Sequence, residues 1–548
     1  MSTSKKRSRV IGTLATLAIA SLALAGCATT KDPASGGDSG GDKGSTSANL
    51  KIGTTDRIVS MDPAASYDNG SFMMQINVFP FLMSMPYGEP EVKPDIAESA
   101  EFSDPNTYTV KLKEGLKFAN GNALTSSDVK FSFDRLLTIK DDEGPWSLLE
   151  NMASVEAPDD LTVHFKLNSP NDQLWPQVLS SPAGMILDED VFSATEVTPS
   201  DVIIKEKAFA GPYVIDSYKE NELITYSPNP EYKGMFPAKN TGATASYYTD
   251  ETKLKLAIEK ADVDVAFRSL SATDVDSLRG NDKVEVVEGP GGEQRYMVFN
   301  SKLMPFGSEQ ADADPAKALA VRKAMANIID RDVIAERIFK GIYSPLYSPV
   351  PQGFLGATEP MKELYGTGQG GPDVEKAKMV LSDAGVTPPV ALNIQYNPDH
   401  YGASSGDEYA LIKTQLEESG LFTVTLSSTE WTTYSAERTT SYPIYQLGWF
   451  PDFSDADNYL SPFFLANNFL QTVDTSQALQ DAVKAEAVEP DQAKREELLG
   501  IAQKLASEEL WTLPMLQGKQ VAVQVKGVKG VADTLDASFK FKYSALTK

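Results

Sequence analysis

The sequence predicts a mixed α/β protein built from at least two lobes. Hydrophobic residues recur with period two in some segments and at helical spacing in others, which indicates both strands and helices. These segments follow one another without regular alternation or an internal repeat. The chain has 548 residues, whereas a typical domain has about 50–250 residues. More than one core is therefore expected.

The strand and helix patterns are clearest in the first third of the chain. Residues 107–112 and 161–167 alternate apolar with polar side chains, as half-buried strands do. Between them, Thr125 suits the N-cap of a helix, and apolar residues recur at helical spacing over residues 129–137. Two strands and one helix are predicted here.

Two more helices are predicted further along the chain. One begins near Pro315 and carries its apolar residues on one side. The other begins at Asp373 and ends at Gly385, because glycine readily adopts the left-handed conformation that ends many helices.

The N-terminus reads as an export signal. A basic stretch at residues 5–9 precedes an uncharged apolar run at residues 10–25, which is shorter than the about 20 residues of a membrane-spanning helix. The run ends Leu-Ala-Gly-Cys, which resembles the bacterial lipobox. We expect a signal peptide at residues 1–26, lipidation of Cys27, and a flexible tether at residues 27–49, which is rich in Gly, Ser and Thr. The protein is then anchored to the outer face of the cell membrane.

Composition excludes several function classes. The 76 acidic residues exceed the 50 basic ones, for a formal net charge of −26, and binding to nucleic acid needs clustered basic residues. The chain has two histidines and one cysteine, and their spacing matches no metal site or catalytic constellation. The sequence therefore predicts a protein that is not an enzyme and needs no cofactor or metal.

Two short matches to enzyme motifs are explained by composition and context. The run Gly-Asp-Ser-Gly-Gly at residues 37–41 resembles a serine-protease nucleophile segment, but it lies in the predicted tether. The glycine-rich run at residues 366–371 fits a dinucleotide-binding pattern, but no strand is predicted before it. A loop is expected there.

Five segments resemble, in order, the family 5 extracellular solute-binding proteins, which are the dipeptide and oligopeptide receptors of ABC transporters. They are residues 125–135 (TSSDVKFSFDR), 210–213 (AGPY), 295–300 (RYMVFN), 321–331 (VRKAMANIIDR) and 448–458 (GWFPDFSDADN). The last segment has Ala456 where the family usually has proline, which affects only the local turn.

The resemblance implies a two-lobed clamp of the periplasmic-binding-protein type, class II, with an extra inserted subdomain. Its expected divisions are lobe 1 at 50–90 with 205–290 and 510–548, the inserted subdomain at 91–204, and lobe 2 at 291–509.

The resemblance also implies ligand-binding residues. Asp452 occupies the position that meets the amino group of the ligand in peptide-binding members, although aspartate is also common in turns. Trp449 and Phe450 adjoin it and are expected to line a side-chain pocket, unless they are plain core. Trp146 resembles in position a tyrosine that approaches the peptide. For the carboxyl end of the ligand, the sequence gives no reason to prefer Arg295 over other arginines.

The expected function is capture of short peptides and their delivery to the membrane permease of an ABC importer. The expected partners are a peptide, the permease and the membrane through the lipid anchor, with the receptor a monomer. The alternatives are another solute on the same fold (an oligosaccharide, a nickel chelate or haem) and, from a different class, a secreted envelope hydrolase.

Overall fold

The structure is a computed structural model that describes residues 49–89, 91–538 and 540–548. The predicted signal peptide, Cys27 and all but the last residue of the predicted tether lie outside the described residues. Among the described helices, none combines the length and the apolar character needed to cross a membrane.

The strands belong to one large sheet and two small ones. In chain order they are β1 (Leu50–Thr54), β2 (Met83–Ser84), β3 (Lys93–Pro94), β4 (Ala97–Asp104), β5 (Thr107–Leu112), β6 (Met152–Asp159), β7 (Thr162–Leu167), β8 (Tyr213–Lys219), β9 (Leu223–Pro228), β10 (Ala243–Tyr247), β11 (Val265–Phe267), β12 (Val284–Phe299), β13 (Tyr343–Pro345), β14 (Val390–Tyr396), β15 (Phe422–Ser428), β16 (Ile444–Trp449) and β17 (Thr512–Val525).

The helices are mostly short and pack against these sheets. They are α1 (Asn69–Gln75), α2 (Ser126–Ile139), α3 (Trp175–Val178), α4 (Ser200–Lys205), α5 (Glu251–Glu259), α6 (Ala272–Arg279), α7 (Pro315–Ile328), α8 (Arg331–Arg337), α9 (Pro360–Leu364), α10 (Val374–Asp383), α11 (Ser404–Glu418), α12 (Trp431–Ser441), α13 (Ser461–Phe464), α14 (Gln477–Glu486), α15 (Gln492–Glu509) and α16 (Val531–Thr534).

The main sheet is mixed and runs in the order β15-β14-β16-β12-β17-β11-β1-β10-β9-β8, with β13 also paired to β17. Its parallel pairs are β14 with β15 and β16, and β1 with β10 and β11. The long strands β12 and β17 pair with each other in the middle of this order. The sheet therefore has two halves that share one central pair of strands.

A second sheet, β4-β5-β7-β6, lies within the segment predicted as an inserted subdomain. It is antiparallel, and α2 packs on it around a core that includes the fully buried Trp175. Separate apolar clusters lie on either side of the central strand pair. The predicted mixed α/β class is confirmed, whereas the domain boundaries stay a prediction.

The local predictions for the first third of the chain are confirmed. β5 and β7 occupy the two alternating segments, and Thr125 caps α2 in a capping box with Asp128. Arg135 on α2 forms a buried ion pair with Asp62, whose Oδ1 accepts from Nη1 at 2.9 Å. The α2 helix is thereby tied to the segment before α1.

The later helix predictions are confirmed as well. Asp314 caps α7, which begins at Pro315. Asp373 caps α10, and Gly385 follows its end with φ of +68°. The glycine-rich run 366–371 forms turns, as expected, and follows the short helix α9 rather than a strand.

The central pair of strands contains an interruption. The register of β12 and β17 shifts between Gly289 and Glu293, where β12 passes close to β17. A Cβ atom on Gly291 would lie 1.8 Å from the carbonyl oxygen of Gly518. Because the backbone of β12 fixes where a Cβ would lie and the atom it would meet is itself backbone, only glycine fits at this position.

We predict that Gly291→Ala lowers the free energy of unfolding by on the order of 1–3 kcal/mol, the cost of overpacking a well-packed site. Gly500→Ala is the matched control. Gly500 lies inside α15, its nearest neighbour to an added Cβ is 3.8 Å away, and alanine in a helix stabilises by about 1 kcal/mol. Urea unfolding followed by circular dichroism measures both. Equal stability of Gly291→Ala and the unsubstituted protein would show that the strands can separate without penalty.

Candidate functional site

The candidate site is a cavity of about 310 Å³ between α1 and the end of β16. Aromatic side chains dominate its lining, which also includes the carboxyl groups of Asp68 and Asp452. The lining residues are Tyr67, Asp68, Asn69, Phe72, Pro182, His400, Tyr401, Trp431, Gly448, Trp449, Phe450, Pro451, Asp452, Phe469 and Ser538.

Three of the four predicted ligand-binding residues come together in this cavity. Trp449 ends β16, which is held against β12 by the pairing of Trp449 with Gln294. Phe450 and Asp452 follow on the loop that leads into the 3-10 helix Ala456–Tyr459.

Asn458 fixes the position of Asp452. Its side-chain Nδ2 donates to Asp452 Oδ2 at 2.9 Å, and its Oδ1 accepts from the Asp452 backbone N–H at 3.0 Å. The same Oδ1 accepts from the Trp449 indole Nε1 at 2.9 Å. One buried amide therefore holds both the carboxylate and the adjacent aromatic ring in place.

The other oxygen of Asp452 accepts from the hydroxyl of Tyr67, which precedes α1. Burial raises the pKa of Asp452, and the donors Asn458 and Tyr67 offset part of that rise by stabilising the charged form. Burial also raises the pKa of Tyr67, and the Asp452 carboxylate raises it further. Tyr67 thus remains a protonated donor at neutral pH.

Both faces of this contact are only partly covered. By accessible surface Asp452 is half-buried and Tyr67 is exposed, although protein atoms surround both groups closely enough to shift their pKa values. Both groups line the cavity, where solvent reaches them. A ligand in this cavity can reach the carboxylate.

Aromatic rings form the wall next to Asp452. The imidazole of His400 stacks on Trp431 with 3.8 Å between ring centroids, and Tyr401 meets Trp431 edge-on at 5.6 Å. Trp449 packs against Phe469 at 5.6 Å. Burial lowers the pKa of His400, opposed by the nearby Asp399, so the imidazole is neutral at pH 7. This wall is large, apolar and uncharged.

Phe450 also contacts a residue from the other half of the main sheet. The guanidinium of Arg268, on the segment after β11, lies 5.5 Å from the centre of the Phe450 ring. Arg268 in turn pairs with Asp56 at 3.2 Å. With the Tyr67–Asp452 contact, this gives two interactions between the half that contains β1 and β11 and the half that contains β16.

Trp146 lies elsewhere. It begins the 3-10 helix Trp146–Leu149, packs against the core of the second sheet, and has the ammonium of Lys140 5.2 Å from its ring centre. It is not among the residues that line the cavity. Its role in ligand binding stays a prediction.

Arg295 is committed to a structural ion pair. Its Nη2 and Nε donate to Glu408 Oε2 at 2.6 and 3.0 Å, and Nη1 donates to the carbonyl oxygen of Tyr401 at 3.0 Å. Both side chains are buried. The pair joins β12 to α11 behind the aromatic wall, where it supports Tyr401.

A larger cavity of about 890 Å³ lies beside α7. Its guanidinium, Arg322, stacks on Trp511 at 4.0 Å and donates to the carbonyl oxygen of Glu509 at 3.0 Å. The predicted site residues do not line this cavity. The smaller one is the better candidate because it combines a held carboxylate with an apolar wall, the usual composition of ligand sites.

Sequence reasoning missed most of the cavity lining. Asn458 belongs to the segment 448–458 that resembles the family, but the sequence alone does not show that it holds Asp452. Asp68 carries a readable signal as the N-cap of α1. Tyr67, His400 and Trp431 come from distant parts of the chain, and no local pattern marks them.

Comparison with known proteins agrees with this description. Residues 91–471 match the bacterial extracellular solute-binding proteins, family 5. The dipeptide-binding protein DppE of Bacillus subtilis is 24% identical over 93% of this chain and 94% of its own length. The probable D,D-dipeptide-binding periplasmic protein DdpA of Escherichia coli is 26% identical over 56% of this chain, which spans 58% of that relative's length.

A solved structure shares the fold. The dipeptide-binding protein from Pseudoalteromonas sp. SM9913, in complex with Met-Leu, has a TM-score of 0.70 and 18% identity, and the match covers 91% of this chain and all of the other. The predicted clamp fold is thus confirmed. The chain belongs to family 5 of the bacterial extracellular solute-binding proteins, and it is a solute receptor rather than an enzyme.

Proposed function

We propose that this protein binds short peptides outside the cell and delivers them to the permease of an ABC importer. The observation that carries the proposal is the Asp452 carboxylate, held by Asn458 beside an aromatic wall. A free peptide offers a complementary pair of groups, an ammonium and an adjacent side chain. The names of DdpA and DppE and the Met-Leu complex of the Pseudoalteromonas protein support peptides as the solute class.

The ammonium of the peptide takes its place at Asp452. A charge-assisted hydrogen bond there is roughly twice as strong as a neutral one. Asp452 already accepts from Tyr67 and Asn458, but a carboxylate has about four acceptor positions, so capacity remains for the ligand. No described lysine or arginine lines the cavity to compete with the ammonium.

Capture then involves closure of two lobes around the peptide. In this proposal lobe 1 comprises residues 50–90, 205–290 and 510–548 and carries the inserted subdomain 91–204, and lobe 2 comprises 291–509. The register shift of β12 between Gly289 and Glu293 lies at the junction of these ranges. Interruptions of this kind absorb backbone rotation, as hinges require. Closure excludes water and strengthens the contact with Asp452.

The aromatic wall selects the side chain of the first residue. His400, Tyr401 and Trp431 present apolar rings without a cation, so a large uncharged side chain gains hydrophobic contact. An acidic side chain would be desolvated near Asp452 and Asp68 without a partner.

Asp452→Asn is expected to weaken binding of free di- to pentapeptides by about 1.5–3 kcal/mol, the scale of hydrogen bonds to charged groups. N-acetylated peptides, which lack the ammonium, should bind poorly to both proteins. The matched control is Asp481→Asn, which alters an exposed residue on α14. Calorimetric titration of ligand-stripped protein measures each affinity. Equal affinities of Asp452→Asn and the unsubstituted protein would make Asp452 structural.

Failure of all the free peptides to bind would contradict the proposed solute class. The oligosaccharides, nickel chelates and haem named as alternatives would then be the solutes to titrate.

Trp431→Ala is expected to weaken Phe-Ala by about 1.5–3 kcal/mol, the transfer free energy of a large apolar side chain, and to leave Ala-Ala almost unchanged. Ala-Phe controls for an aromatic ring at the second position. Trp146→Ala, titrated alongside, tests the assignment of that residue from the family resemblance. Preferential binding of Glu-Ala over Phe-Ala by the unsubstituted protein would contradict the role of the wall.

The receptor is proposed to act as a monomer held at the membrane by lipidated Cys27. We expect Cys27→Ala to appear in the culture medium, because a thiol is required for acylation and two or more chains are needed for stable anchoring. Immunoblots of membrane and medium fractions measure the distribution, with Ser39→Ala in the predicted tether as the control. Retention of Cys27→Ala in the membrane fraction would refute the lipid anchor.

A further inference from the structure

Behind the Asp452 loop lies a group of buried ionisable residues, here called the buried charge cluster: Asp455, Asp457, Glu486 and Arg495. Their exposed fractions are 5%, 2%, 0% and 7%. The two aspartates flank the start of the 3-10 helix Ala456–Tyr459, Glu486 ends α14, and Arg495 lies on α15. Three carboxyl groups and one guanidinium are thus buried together.

The contacts of Arg495 leave one carboxyl group uncompensated. Its Nη1 and Nη2 each donate to Asp455 at 2.8 Å in a bidentate pair, and its Nε donates to Glu486 Oε2 at 3.0 Å. Asp457 Oδ1 accepts from an uncharged group, the Ser461 hydroxyl, at 2.6 Å. The guanidinium therefore neutralises Asp455 and reaches Glu486, whereas Asp457 has no cation in contact with it among the described residues.

The second carboxyl oxygen of Glu486 is buried and faces another carboxyl group. Among the described residues, no donor reaches Glu486 Oε1, yet the carboxyl groups of Glu486 and Asp457 lie within hydrogen-bond reach of each other. Two ionised carboxylates at that distance in a dry interior repel strongly. A proton between them replaces repulsion by a hydrogen bond.

The surroundings assign this proton to the pair of Glu486 and Asp457 rather than to either residue alone. Burial raises the pKa of Glu486, the Asp457 carboxylate raises it further, and Arg495 offsets only part of the rise. Burial also raises the pKa of Asp457, but hydrogen bonds from Glu486 and Ser461 favour its charged form.

Asp172 adds to the negative charge in this region. It lies on the segment before α3 and accepts from Asn151 Nδ2 at 2.5 Å. The charge of Arg495 acts to lower its pKa. The presence of Asp172 reduces the share of the Arg495 charge that is available to Glu486 and Asp457.

We propose that Glu486 and Asp457 share one proton at neutral pH, and that the hydrogen bond between them positions the loop that carries Asp452. Asp455 caps the 3-10 helix by accepting from the Asp457 N–H at 2.9 Å, and Asn458 on the same helix holds Asp452. Loss of the shared proton would push Asp457 away from Glu486 and displace Asn458 with it. The proton is a property of the fold, whereas its effect on ligand rests on the proposed function.

The sign of the pH dependence follows from the raised pKa. In an unfolded chain Asp457 and Glu486 release their protons near ordinary pKa values of about 3.9 and about 4.3, whereas the folded pair keeps one proton to a higher pH. Between these pKa values the folded state binds more protons, so stability falls as the pH rises. Glu486→Gln removes this contribution, because the amide cannot ionise but can still donate to Asp457.

The test combines infrared spectroscopy with peptide titration. At pH 8 the ligand-free protein should show a carbonyl band of a protonated carboxylic acid that disappears in Glu486→Gln and persists in Glu497→Gln, a matched change at an exposed position of α15. Asp452→Asn should keep the band, which separates it from the ligand carboxylate. Absence of such a difference overturns the proposal, whether or not peptides bind.

Ligand affinity tests the positioning role. Glu486→Gln should bind peptides within about twofold of the unsubstituted protein, because the donor is conserved, whereas Glu486→Leu should lose about tenfold or more. If Glu486→Leu does not fold, the melting temperature of Glu486→Gln gives a second measurement, which should fall less than that of the unsubstituted protein between pH 5 and pH 9. Full affinity in Glu486→Leu would refute the positioning role. Parallel curves of melting temperature against pH for Glu486→Gln and the unsubstituted protein would refute the proposed proton. Failure of every variant to bind peptides, with the band present, contradicts only the proposed function.

Discussion

The pairing of β12 with β17 is the constraint on which the molecule depends. These strands connect the two halves of the main sheet, and the partners of each change along its length: β12 pairs with β16 near its end, and β17 pairs with β11 near its own. The pairing of β12 with β16 also sets the point, at Trp449, where β16 ends and the Asp452 loop begins. The position of the candidate site is thus a consequence of strand register, which the hydrophobic pattern of both faces fixes.

Buried ion pairs fix the positions of loops and helices, as the strand register fixes the positions of the strands. Arg135 ties α2 to Asp62, Arg295 ties β12 to Glu408, and Arg495 ties α15 to Asp455. Removing one partner of such a pair leaves a buried charge, which is strongly destabilising. Arg135 and Arg295, which lie in segments that resemble the family, are therefore structural, since each is buried and pairs with a carboxylate of the protein.

Local elements were predictable from sequence because their signals are local. The capping box at Thr125 and the stop at Gly385 lie within a few residues of the elements that they define. The cavity is different: Tyr67 meets Asp452 across 385 residues of chain. His400 follows β14 and Trp431 begins the helix before β16, and the two residues come to the cavity because β14, β16 and β12 are neighbours in the sheet. Asp452 and its neighbours were identified only because a family motif substituted for the missing three-dimensional information.

Asp452 and Glu486 are carboxyl groups in different environments. Burial raises the pKa of Asp452, and its donors Asn458 and Tyr67 offset part of that rise. Glu486 has one oxygen on Arg495 and the other facing Asp457, so its charged form meets repulsion. In the proposed function the ammonium of the ligand stabilises the charged form of Asp452. The proposed proton between Glu486 and Asp457 holds the loop at the fixed geometry that this pairing requires.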